Sequence, residues 1–206
     1  MSFNDRNYEK IRIIGVTGPI GAGKSYVTGL FKKEGFKTID SDRVYHILTN
    51  KKTPLTDEIA SEFGQGVLNT DGSLNRAELS KIVFNDKQKL QRLNEITHQK
   101  VIAYILNKCK LNFEKGECTT VVEVPMMFES GFDKHCSDVI CVVADEDTRI
   151  KRIMKRNGFS EDEAKKRIKN QKNIEFYIEN SDKIVYNDAY AGAREDFRRV
   201  LAELFG

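Results

Sequence analysis

"GVTGPIGAGKS", Gly15–Ser25, is the stretch on which the reading of this 206-residue chain turns. It follows the apolar run "IRIIGV" and holds four glycines and a lysine. Glycine inside regular structure costs about 0.5–1 kcal/mol against alanine, so such a cluster marks a loose turn or a close approach of backbone to something. The spacing separates the two. Gly18, four residues, then Gly23, Lys24 and Ser25 match G-x-x-x-x-G-K-[ST]. In that loop successive backbone N–H groups point inward and cradle phosphate oxygens. Lys24 offers a point charge to the outer phosphates, and the Ser25 hydroxyl is placed to ligate Mg²⁺. The next segment, "KSYVTGLFKKEG", spaces Val27, Leu30 and Phe31 as a helix does, and its N-terminus adds dipole attraction for an anion. Strand before and helix after is the context a chance glycine-rich turn lacks.

Composition narrows the partners. Thirty-four Lys and Arg against 31 Asp and Glu leave a net charge of +3, which does not favour nucleic acid. The basic residues are concentrated locally: Arg149 to Lys172 contains ten Lys or Arg and three acids. Such a face either meets an anion or is solvated. The four cysteines form no C-x-x-C pair and no ligand cluster with the three histidines, so no zinc site is expected. The charged start "MSFNDRNYEK" reads as neither a signal peptide nor a membrane span. The expectation is a cytoplasmic protein with reduced thiols and no membrane partner.

Along the chain, strands alternate with helices. Ile11–Thr17 reads as a buried parallel strand, followed by a helix to Glu34 with Gly35 as its stop. "FKTID" is a second strand, Cys118–Pro125 a third, Ser137–Asp145 a fourth and "DKIVYN" a fifth. Residues from about Arg43 to Lys110 look almost wholly helical, with a break at Asn85-Asp86 and a long amphipathic helix after it. Ser160 with Glu163 makes a capping box that starts another helix, and the last helix begins near Gly192. The pattern predicts an α/β fold with a parallel five-stranded sheet flanked by helices. The long helical stretch reads as an insertion over the carboxyl ends of the strands, where such sheets bind ligands.

Other residues join the loop as candidates. Asp40 and Asp42 follow the second strand; a carboxylate there can take the proton of an attacking hydroxyl, hold Mg²⁺ through water, or cap a helix. Arg149, Arg152 and Arg156 share one helical face, suited either to an anion or to solvent. Arg167 and Gln171 form a second same-face pair. Glu129 reaches the binding edge or is a surface acid, and His98 is either a structural or a ligand-contacting histidine. Asn187 either reads a purine edge or sits in a turn.

In this order the motifs resemble the dephospho-coenzyme A kinases, a P-loop kinase family acting at the last step of coenzyme A biosynthesis. "IGVTGPIGAGKS", "IDSD", "GSLNRAEL", "LNEITHQKV", "VEVPMMFESG", "RIKRIMKRNGFSEDEAKKRIKNQ" and "VYND" carry the resemblance nearly end to end. It implies a single unit, 1–206, with a nucleotide-binding core at 11–42 and 118–206, a helical acceptor-binding insertion at 43–117 and a lid at 149–178. It implies ATP and Mg²⁺ as cofactors and dephospho-coenzyme A as the partner, with the chain a monomer or weak homo-oligomer. Asp42 is then the catalytic carboxylate, Lys24 and Ser25 stand at the phosphates and Mg²⁺, and Arg152 with Arg156 act from the lid. The expected ATP site comprises Gly18, Pro19, Ile20, Gly21, Ala22, Gly23, Lys24, Ser25 and Tyr26, with Arg149 and Asn187. The expected acceptor site comprises Asp40, Asp42, His98, Pro125 and Glu129. Three positions depart from the family pattern: Pro19 replaces a second glycine, His46 an arginine and Gln99 a proline. A nucleotide or small-sugar-acid kinase on the same scaffold is the competing enzyme. A GTPase switch lacks its N-K-x-D and D-x-x-G elements here.

Overall fold

The computed structural model describes residues 11–84 and 86–206. The segment "MSFNDRNYEK" and Asn85, both read above, lie outside them. Among the described residues, five strands form one parallel sheet: β1 (Arg12–Thr17), β2 (Lys37–Asp40), β3 (Thr119–Glu123), β4 (Asp138–Val143) and β5 (Lys183–Tyr186). Their order is β2-β3-β1-β4-β5. The central strand β1 is thereby hydrogen-bonded on both sides, with Ile14 opposite Val121 on one flank and Asp138 on the other. A strand so placed has no polar face, which is why "IIGV" is uninterrupted by charge.

Side chains alternate across the sheet. Ile14, Val16, Ile140, Val142 and Val185 pack with Val27, Leu30 and Phe31 of α1 (Lys24–Lys33) and with Phe197, Val200 and Leu204 of α10 (Tyr190–Phe205). Phe31 is fully buried and meets Phe197 edge-on, with ring centroids 4.8 Å apart. Alternate residues on β4 and β5, Cys141, Val143 and Ile184, pack with Phe128 of α6 (Met127–Ser130) and with Tyr177 of α9 (Ile174–Glu179). Between these lie α7 (Glu146–Asn157) and α8 (Glu161–Lys169), joined by a small cluster of Ile150, Ile153 and Ala164.

The chain divides into two compact units, one running to Thr38 and resuming at Asn112–Gly206, the other being Ile39–Leu111. The second unit has its own core of Leu55, Ile59, Val67, Leu79, Leu93 and Ile96. It contains α2 (Ser41–Thr49), α3 (Pro54–Phe63) and α4 (Arg76–Val83), and most of α5 (Lys87–Glu114).

Two expectations need correction. The stretch from Arg43 to Lys110 is less continuous than its composition suggested. Thr53 and Thr56 form a reciprocal capping box that starts α3 at Pro54. Between α3 and α4 comes a 3₁₀ turn at Gln65–Val67 and then a tight loop in which Asp71 accepts from the Ser73 amide. Local side-chain acceptors compete with the helical ladder there and win. Gln171 also falls beyond the end of α8, so it shares no helical face with Arg167. Two boundaries moved as well: Asp86 caps α5, which runs on to Glu114, and α10 starts two residues before Gly192.

Phe31→Ala should destabilise the protein by about 3–5 kcal/mol, because its ring fills the junction of sheet, α1 and α10. Urea unfolding followed by far-ultraviolet dichroism measures this. A loss below about 1 kcal/mol would remove Phe31 from the centre of the core.

Candidate active site

The glycine-rich loop runs from the end of β1 to the start of α1. At Gly18 the backbone takes φ +138°, and a Cβ there would lie 2.1 Å from the Val142 carbonyl oxygen of β4. At Gly23, with φ +95°, a Cβ would lie 2.1 Å from Nδ2 of Asn187. Both positions therefore exclude side chains on space as well as on conformation. Within the loop the Lys24 ammonium donates to the carbonyls of Gly18 (2.8 Å) and Pro19 (3.2 Å), and the Ala22 amide donates to Pro19 (3.3 Å).

Next to Lys24, the Ser25 hydroxyl donates to Oε1 of Glu123 at 2.7 Å. Glu123 is the last residue of β3 and only 7 % exposed. The sequence reading missed it. The signal was there: in "TTVVEVP" one acid interrupts an otherwise apolar buried strand at its carboxyl end, and buried acids need partners. Serine hydroxyl and carboxylate are hard oxygen donors, which suit Mg²⁺. Among the described residues no group of three or more His, Cys, Asp or Glu is gathered as a metal site. Mg²⁺ needs none, since it uses one or two protein groups and keeps waters and substrate phosphates.

The three arginines do lie on one helix, α7, yet they do different things. Arg149 is buried, and its Nε donates to the Ile20 carbonyl at 2.9 Å. Burial lowers its pKa from the ordinary value, with the Glu146 carboxylate acting the other way. Arg152 donates to the carbonyls of Gly21 (3.4 Å) and Ala22 (3.2 Å). Arg156 is exposed and donates to Asn157. Arg149 and Arg152 thus both meet the partial negative charge of loop carbonyls. Asn187, fully buried, donates to the Ala22 carbonyl at 2.7 Å, and its own Oδ1 has no hydrogen-bond partner. Gln171 accepts from the Ile20 amide at 2.7 Å. Arg149 and Gln171 also line a cavity of about 510 Å³ with Ala144, Lys169, Lys172 and Ile174.

Around these groups Tyr26 accepts from Arg194 at 3.0 Å. Pro125 is half-buried just past β3, and Glu129 is exposed on α6. Burial raises the Tyr177 hydroxyl pKa, and the Glu129 carboxylate adds to the rise. Burial also pushes the Cys141 thiol up to about 12, so it stays protonated at neutral pH although the Lys24 ammonium opposes the shift.

In the other unit, Asp40 accepts from the amides of Asp42 (2.9 Å) and Arg43 (3.2 Å), so it is the N-cap of α2. Asp42 is exposed in the first turn of that helix, and His46 is exposed one turn on. His98 is half-buried on α5. Among the described residues no helix is long and apolar enough to cross a membrane.

Comparison with known proteins agrees with this geometry. A family model described as dephospho-CoA kinase matches residues 12–192. A dephospho-CoA kinase of Listeria innocua is 37% identical over 177 residues, covering 86% of this chain and 88% of its own. One from Geobacillus kaustophilus is 35% identical over 188 residues, 91% of this chain and 92% of its own. The solved dephospho-CoA kinase from Campylobacter jejuni superposes with a TM-score of 0.68 at 30% identity, over 93% of this chain and 96% of its own. With its phosphate loop, its five-stranded parallel sheet and this likeness over most of its length, the chain belongs to the dephospho-CoA kinase family of P-loop kinases.

Proposed function

We propose that the protein transfers the γ-phosphoryl group of ATP to the ribose 3′-hydroxyl of dephospho-coenzyme A, completing coenzyme A. The observation that carries this reading is the loop of Gly18–Ser25, bonded by side chains from α7, from the α8–α9 link and from just after β5, in a chain of this family. In the reaction, the 3′-oxygen forms a bond to the γ-phosphorus and the bond to the β–γ bridging oxygen breaks. The hydroxyl proton passes to a carboxylate, and ADP leaves. No covalent enzyme intermediate is needed, so positioning and charge dominate.

The roles divide accordingly. Lys24 follows the charge of the transferring group, and its ammonium already sits in the loop. Arg152 and Arg156 supply further positive charge from the lid. Asp42 accepts the acceptor's proton. Asp40 is committed to capping α2, which supports Asp42 as the base. Ser25, with Glu123 behind it, would hold Mg²⁺, which supplies neutralisation of phosphate charge when bound. Arg149 and Asn187 act through the loop backbone that they hold, while Tyr26, His98, Pro125 and Glu129 contribute to the walls of the ATP and acceptor sites. All these groups belong to one chain, so a monomer or weak homo-oligomer suffices. The reaction so proposed uses small-molecule substrates and is placed in the cytoplasm.

An acceptor panel tests the reading directly. With ATP and Mg²⁺, kcat/KM should favour dephospho-coenzyme A clearly over nucleoside monophosphates, shikimate and gluconate. Equal turnover of a nucleoside monophosphate would overturn it.

Lys24→Ala should lower kcat by about 10² or more, because its charge matters most in the transition state. If only the KM for ATP rises, Lys24 contributes uniform binding instead.

Asp42→Asn keeps the side-chain shape but cannot take a proton at neutral pH. Its kcat should fall by about 10² or more, with ATP affinity by calorimetry little changed. Asp40→Asn should be milder in turnover, since an amide oxygen can still cap α2. The reverse ranking would exchange the two roles.

A further inference from the structure

One loop residue is gripped from three directions. The Ile20 side chain packs on the cluster formed by Ile150, Ile153 and Ala164 of α7 and α8. Its carbonyl accepts from Arg149 at 2.9 Å, and its amide donates to Gln171 Oε1 at 2.7 Å. Gln171 stands in the short link between α8 and α9, 151 residues further along the chain.

A peptide unit is a rigid plane, so fixing its N–H also fixes the carbonyl at its other edge. The amide of Ile20 shares its plane with the carbonyl of Pro19. That carbonyl accepts from the Lys24 ammonium at 3.2 Å and from the Ala22 amide at 3.3 Å. Gln171 therefore sits at one edge of a plane whose opposite edge faces the lysine of the phosphate loop. The Ile20 amide is thereby taken up by a side chain, leaving the phosphate cradle to other loop amides. Pro19 limits the plane's freedom from one side only, since it fixes its own φ and not the torsion that turns its carbonyl.

We infer that Gln171 is a positioning residue for phosphoryl transfer: through the Pro19–Ile20 peptide it orients the loop around Lys24 and ties the α8–α9 link to that loop. It touches no reacting atom. The contact lies on the loop around Lys24, so it bears on the ATP side of the reaction and not on acceptor binding.

The test is Gln171→Ala in the full chain. The residue is only half-buried and lies outside any helix, so the variant should fold with a thermal midpoint near that of the parent. The Ile20 amide, followed by nuclear magnetic resonance, should exchange with solvent faster. The kcat/KM for ATP should fall about three- to tenfold, the scale of one lost hydrogen bond, while the KM for dephospho-coenzyme A stays constant. Gln171→Glu retains an oxygen acceptor at the same reach and should keep the Ile20 amide protected. Faster Ile20 exchange with unchanged kinetics would reduce the contact to a structural one. Equal losses toward both substrates with a lowered thermal midpoint would make the effect general destabilisation. Loss of protection in Gln171→Glu as well would show that the acceptor oxygen is not what holds the amide.

Discussion

Everything in the site depends on how closely the phosphate loop lies against the carboxyl ends of β4 and β5. At Gly18 and Gly23 there is no room for a methyl group, against the Val142 carbonyl in one case and the Asn187 amide in the other. Glycines at both places let the backbone take conformations and approaches that a side chain would block, as a loop that cradles phosphate oxygens requires.

Folding a loop of this kind leaves carbonyl oxygens pointing the other way, and the protein meets them with donors. Arg149 and Arg152 of α7 and Asn187 after β5 each donate to Ile20, Gly21 or Ala22. Charge-assisted bonds to neutral carbonyls, with the Glu146 carboxylate acting on Arg149, help two arginines lie close together on one helix. The same logic explains the pairing of Ser25 with Glu123. A carboxylate this buried is costly unless hydrogen-bonded, and the serine supplies that bond.

The two acids of "DSD" belong to the other unit of the chain. Asp40 and Asp42 open a unit, Ile39–Leu111, that has its own hydrophobic centre. One caps α2 and the other stands exposed on its first turn, two residues away. The cap of α2 is thus filled by Asp40, which leaves the second acid of "DSD" outside the capping bonds.

Much of the molecule was legible in its sequence because the relevant forces are local. Phosphate-loop spacing, the apolar strands, the Ser160–Glu163 capping box and Asp40 before a helix all act within a few residues, and each element formed close to where its pattern predicted. The order of motifs was enough to place the chain beside its family. What the sequence could not show is which long-range partner each polar side chain chooses. Glu123 is an acid within an apolar run until the fold sets it beside Ser25. Arg149 and Gln171 belong to a basic stretch until the fold sets both on Ile20. Asn187 resembled a turn residue until the sheet buried it against Gly23. Sequence periodicity reports which side of an element faces inward. Hydrogen-bond partners about a hundred or more residues apart are chosen only when the strands are ordered and the chain is closed around them.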